Sequence, residues 1–83
     1  MLIMSNVVQP DASLDARNQL CPTPVIGTAA KMRSLQKGQV LEVLATDPGS
    51  AADLPAWARQ TGNEVLDISK ENGVFRYLIR KAQ

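Results

Sequence analysis

Glu64-Val65-Leu66-Asp67-Ile68-Ser69-Lys70-Glu71-Asn72-Gly73-Val74-Phe75-Arg76-Tyr77-Leu78-Ile79-Arg80 reads as two strands joined at Asn72-Gly73. Asn-Gly is a strong signal for a two-residue hairpin, because both central positions of the favoured turn need positive φ. The strands are expected over Glu64–Ser69 and Val74–Arg80. In the second, Phe75, Tyr77 and Ile79 share one face while Arg76 and Arg80 point to the other, since side chains alternate along a strand.

Upstream, Val40-Leu41-Glu42-Val43-Leu44-Ala45 is a nearly continuous apolar run, the pattern of a strand buried on both faces. A helix is expected on each side of it. The first carries Val25, Ala29 and Met32 at i, i+4 and i+7, with Ile26 and Leu35 beside them, and is expected to stop at Gly38 with Lys37 in its last turn. The second holds Ala51, Leu54, Trp57 and Ala58 on one side and ends at Gly62. Asp47 with Pro48 offers one start for it, and Ser50 a competing cap; Pro55 is tolerated only near a first turn, which favours Ser50. Ala12–Arg17 alternates weakly, as a short strand.

The order strand, helix, strand, helix, strand, strand gives an α/β (α+β) two-layer sandwich, with both helices on one face of a four-stranded mixed sheet. Residues 12–83 form this domain, and residues 1–11 are expected to be a flexible tail.

Composition narrows the chemistry. Across 83 residues there is no histidine, one cysteine and a net charge of +1. The missing histidine excludes Ser-His-Asp and Cys-His relays and histidine-containing metal sites. One cysteine makes neither an internal disulfide nor a cysteine-rich zinc site, and a lone thiol in so small a chain suggests a reducing compartment. No basic stripe points to nucleic acid or to an anionic membrane, and three aromatic residues are too few for a base-stacking platform. Met1–Met4 is too short for a signal-peptide core and no apolar run of ~20 residues exists. A cytoplasmic location is expected, with no direct nucleic-acid contact, no membrane insertion, and neither cofactor nor metal.

That leaves Cys21, in Asn18-Gln19-Leu20-Cys21-Pro22-Thr23-Pro24. A lone cysteine is often only a small buried hydrophobe. This one precedes a proline suited to the first helical position, where free N–H groups and the positive end of the helix dipole favour thiolate. With no N–H on Pro22, the donors are expected from Thr23 and Val25. Pro22 and Pro24 stiffen the turn without removing a helical hydrogen bond. A rigid, partly ionised sulfur suits attack on another sulfur and later release. Pro24 stands where a dithiol reductase would place its second cysteine, so disulfide reduction by that mechanism is excluded.

Leu14-Asp15-Ala16-Arg17, then Cys21-Pro22-Thr23-Pro24-Val25, Gly38, Asp47-Pro48, Asp53-Leu54-Pro55 and Arg76–Lys81 together resemble the TusA/SirA sulfur-carrier family. The resemblance covers residues 12–81. It implies a two-layer sandwich whose cysteine, Cys21, carries a persulfide, with Pro22, Thr23 and Pro24 shaping its loop and Asp47 the motif acid at the entry to the second helix. The implied partners are a sulfur donor, either a cysteine desulfurase or a rhodanese-like protein, and a sulfur-acceptor protein. The implied destinations are tRNA thiolation, molybdenum-cofactor maturation, or thiosulfate and sulfur metabolism. Asn18 stands near where the family usually has glycine, and asparagine is the residue next best suited to positive φ.

The supporting candidates each have a plainer alternative. Arg17 is placed to stabilise a thiolate or persulfide anion, or is simply a surface arginine. Asp47 is first a helix cap, and Lys31, with Arg33, is a solvated face before it is a docking patch. Three functions remain open: a persulfide carrier, a non-catalytic interaction or regulatory domain, and a thiol redox sensor. The two-proline frame favours the first over the second, and the absence of a resolving cysteine disfavours the third.

Overall fold

A computed structural model describes residues 9–20 and 22–82. Its elements are β1 (Ala12–Ala16), α1 (Thr23–Arg33), β2 (Val40–Ala45), α2 (Ser50–Gln60), β3 (Glu64–Glu71) and β4 (Val74–Arg80). The sheet order is β1-β2-β4-β3; β1 and β2 run parallel, and the other pairs are antiparallel. Two helices on a four-stranded mixed sheet is the expected architecture. The expected N-terminal tail falls mostly outside the described residues, but Asp11 belongs to the sheet edge. Its N–H donates to the Val40 carbonyl and its carboxylate accepts from the Val40 N–H, both at 2.8 Å.

The hairpin forms as its sequence dictates. Asn72 and Gly73 have φ of +53° and +79°, and the two strands pair from Glu71–Val74 down to Glu64–Arg80, with one irregularity between Val65 and Asp67. Tyr77 and Ile79 are fully buried under the helices. They join Leu41, Val43, Ala45, Met32, Leu54 and Ala58 in one core, with Leu14, Val25, Trp57 and Phe75 packed around it. On the open face Arg76 pairs with Glu42 and Arg80 with Glu64, so both arginines meet acids within the sheet.

The helices depart from expectation at their ends and faces. Helix α1 stops at Arg33, not near Gly38, and its last turn carries Lys31 and Arg33 in place of Lys37. The reason is tertiary. The Lys81 ammonium donates to the carbonyls of Met32 at 3.0 Å and Leu35 at 2.7 Å, closing the helix end. Gly38, at φ +94°, instead turns the chain so that its N–H reaches the Lys81 carbonyl. The buried face of α1 is Pro24, Thr28 and Met32, and Ile26, two residues after Pro24, turns to solvent. In α2 the buried face is Ser50, Leu54 and Ala58, with Ala51 exposed and Trp57 half-buried. Gly49 holds the cap position, so neither Asp47 nor Ser50 is the N-cap, and Pro55 lies beyond the first turn. Its ring removes one helical hydrogen bond, and the helix is held on either side by buried Leu54 and Ala58.

Candidate functional site

Parallel strands β1 and β2 lie side by side with Ala16 opposite Ala45, so the connections that leave them emerge together. The first runs from Arg17 to Pro22 and enters α1; the second runs from Thr46 to Gly49 and enters α2. In sheets of this kind, ligand and reaction sites gather beyond the carboxyl ends of parallel strands. Cys21, on which the sequence reading centres, lies outside the described residues. Its chain neighbours place the segment at this end of the sheet.

The two prolines do different work. Pro22 is exposed and takes the cap position at φ −94° and ψ 11°, one residue earlier than expected. Pro24, the second helical residue, is fully buried, and its carbonyl accepts from the Thr28 hydroxyl at 2.7 Å. One proline therefore anchors the helix start in the core while the other stands beside Cys21 in solvent. The Thr23 N–H donates to the Leu20 carbonyl at 2.9 Å. The Ile26 N–H is taken by Pro22. Of the two expected donors, Thr23 is already occupied by this local turn, which the sequence pattern did not reveal.

Around the segment the surface is apolar. Leu20 is 75% exposed and Ile26 63% exposed, values that mark them out among large hydrophobic side chains. A groove of about 340 Å³ starts at Pro22 and continues between the helices past Val25, Asp53, Ala56, Trp57 and Gln60. Trp57, expected in the core, packs against it and also forms part of the groove wall.

The supporting candidates separate. Arg17 is held by Asp15: its Nε and terminal nitrogen donate to the two carboxylate oxygens at 2.9 and 2.8 Å, and its N–H adds a third contact at 3.1 Å. These hydrogen bonds keep the Asp15 carboxyl at about 2 and raise the Arg17 guanidinium. Asp47 lies in the second connection, where its carbonyl accepts both the N–H of Ser50 at 3.0 Å and its hydroxyl at 2.8 Å. Lys31 sits in the last turn of α1, and at ~1.5 Å rise per residue the helix separates it from Pro22 by ~13 Å. The structure brings Pro22, Thr23, Pro24 and Asp47 to one end of the sheet and leaves Lys31 at the other. Among the described residues no cluster of acids or thiols has the makings of a metal site, and no helix is long and apolar enough to cross a membrane.

Two further residues complete this end: Thr46, which the sequence pattern gives no role, and Tyr77, which it places only on a strand face. Thr46 accepts the Asn18 N–H at 2.8 Å, and Tyr77 meets Ser50 through its hydroxyl at 2.8 Å. Asn18 has φ +66°, the left-handed conformation anticipated for it.

Comparison with known proteins gives a consistent result. The family model described as sulfurtransferase TusA matches residues 12–81. The sulfur carrier protein TusA of Allochromatium vinosum is 44% identical over 72 residues, covering 87% of this chain and 95% of that protein. A crystal structure of a SirA-like protein from Desulfitobacterium hafniense is 30% identical, covers 87% of this chain and 99% of its own, and superposes with a TM-score of 0.77.

Proposed function

The chain belongs to the TusA family, and from that premise we propose that Cys21 accepts a sulfane sulfur as a persulfide and hands it to a partner protein. The observation that most supports this is the division of labour between Pro24, buried in the core, and Pro22, exposed beside Cys21. A helix start fixed from below and open above suits a sulfur that must be reached by two different proteins in turn.

In loading, the Cys21 thiolate attacks the outer sulfur of a donor persulfide. A new S–S bond forms at Cys21, the donor's S–S bond breaks, and the donor cysteine leaves as thiolate. Unloading is the same step with the acceptor's thiolate attacking and Cys21 leaving. Neither step changes the overall oxidation state, so neither needs an oxidant, a metal or a cofactor. The protein holds no histidine to move protons. The chemistry on the final product therefore belongs to the acceptor, and turnover as a sulfurtransferase requires partners. The donor is a cysteine desulfurase or a rhodanese-like protein, and the relay runs in the cytoplasm toward tRNA thiolation, molybdenum-cofactor maturation or thiosulfate metabolism. Radiolabelled sulfur, offered as cysteine with a desulfurase or as thiosulfate with a rhodanese, should appear on the chain and then chase onto an acceptor thiol. Label that reaches the acceptor equally well without the chain would overturn the proposal.

A further inference from the structure

Asn18 is three residues upstream of Cys21, and its left-handed backbone, φ +66°, sets the direction in which the chain leaves β1. The Gln19 N–H reaches the Ala16 carbonyl only at 3.4 Å, long for a hydrogen bond. The short contact on this side is the one from the Asn18 N–H to the Thr46 hydroxyl, 2.8 Å, across two connections separated by 28 positions. Thr46 is itself held from the core. Its neighbour Asp47 accepts twice from Ser50, and the Ser50 hydroxyl meets that of fully buried Tyr77. A path of hydrogen bonds and one peptide link thus runs from the middle of β4 to the upstream root of the Cys21 segment.

We propose that Thr46 is a positioning residue for Cys21, its hydroxyl fixing Asn18 and thereby the presentation of the sulfur at the start of α1. In this role Thr46 acts through Asn18, whose N–H its hydroxyl accepts. Its methyl group is not the working part, so valine, which keeps the shape and loses the acceptor, is the informative replacement. Without that acceptor, the Asn18 N–H loses its partner among the described residues. The inference rests on Cys21 being the reacting group.

The test compares Thr46→Val, Thr46→Ser and wild type by the pH profile of iodoacetamide alkylation at the single cysteine, and by persulfide loading from a desulfurase. Thr46→Val should alkylate and load more slowly at neutral pH by roughly fivefold, the weight of one net hydrogen bond. Its alkylation profile should move to higher pH, while the thermal midpoint falls by no more than the loss of one solvent-exposed hydrogen bond accounts for. Thr46→Ser should restore both. A Thr46→Val protein that matches wild type would overturn the inference, as would Thr46→Val and Thr46→Ser proteins that are equally slow. Should wild type alkylate readily yet never load, the carrier function fails, and the alkylation profiles still decide the role of Thr46.

Discussion

The hydroxyl groups of Ser50 and Tyr77 meet at 2.8 Å, with both residues fully buried. Because the Ser50 hydroxyl donates to the Asp47 carbonyl, the tyrosine is the donor of the pair. The contact ties the second β–α connection to the central strand β4. Tyr77→Phe removes the donor and keeps the ring, and should lower unfolding free energy by about 1 kcal/mol. Urea denaturation should show an earlier midpoint at unchanged slope; an unchanged midpoint would mean that the pair adds nothing.

The Lys81 ammonium closes the C-terminal end of α1 through two carbonyls. A cation there also meets the negative end of the helix dipole. Lys81→Met should destabilise the protein by about 1 kcal/mol, with hydrogen exchange rising first in the last turn of α1. Uniform exchange along the helix would contradict this capping role.

Two carboxyls sit below their ordinary values. Hydrogen bonding to Arg76, aided by Ser13, lowers Glu42 from 4.5, and Arg17 holds Asp15 at about 2 from 3.8. A depressed carboxyl contributes stability that is complete above its unfolded value and is lost as pH falls through its folded one. Stability should therefore decline below about 4.5, the ordinary value for Glu42, as acid is added. Glu42→Gln should flatten that limb. Asp15 is exposed, and salt should erase most of its share. A Glu42→Gln protein with the wild-type acid profile would refute the assignment.

The prolines should separate by experiment. Pro24→Ala removes buried ring atoms from the core and should cost about 1–2 kcal/mol of stability. Pro22→Ala, at an exposed position, should change stability by less than about 1 kcal/mol while slowing sulfur transfer. Equal transfer rates in Pro22→Ala and wild type would reduce Pro22 to punctuation.

Local features were legible in the sequence because their causes are local. Asn72-Gly73 demands positive φ at two adjacent residues whatever surrounds them, and Asn18 shows the same preference. The alternation of Phe75, Tyr77 and Ile79 fixes the core face of β4. What escaped depends on groups far apart in the chain. The end of α1 is set by Lys81, 49 positions from Met32, and so Gly38 was the wrong stop signal. The face of α1 rotated because Thr28 satisfies its hydroxyl on Pro24 and can be buried, which a hydropathy pattern does not register. Thr46 gains its meaning only when parallel pairing brings two connections together. Arg17 lies four residues before Cys21 in the chain, but Asp15, two residues back in β1, engages it.

The central claim is that one sulfur atom rides on Cys21, and intact-mass spectrometry measures it directly. Incubated with a desulfurase and cysteine, or with thiosulfate and a rhodanese, the wild-type chain should gain the mass of a single sulfur that a reductant removes, and Cys21→Ser should gain none. A wild-type chain that gains no sulfur from either source, or a Cys21→Ser chain that gains as much, would contradict the account.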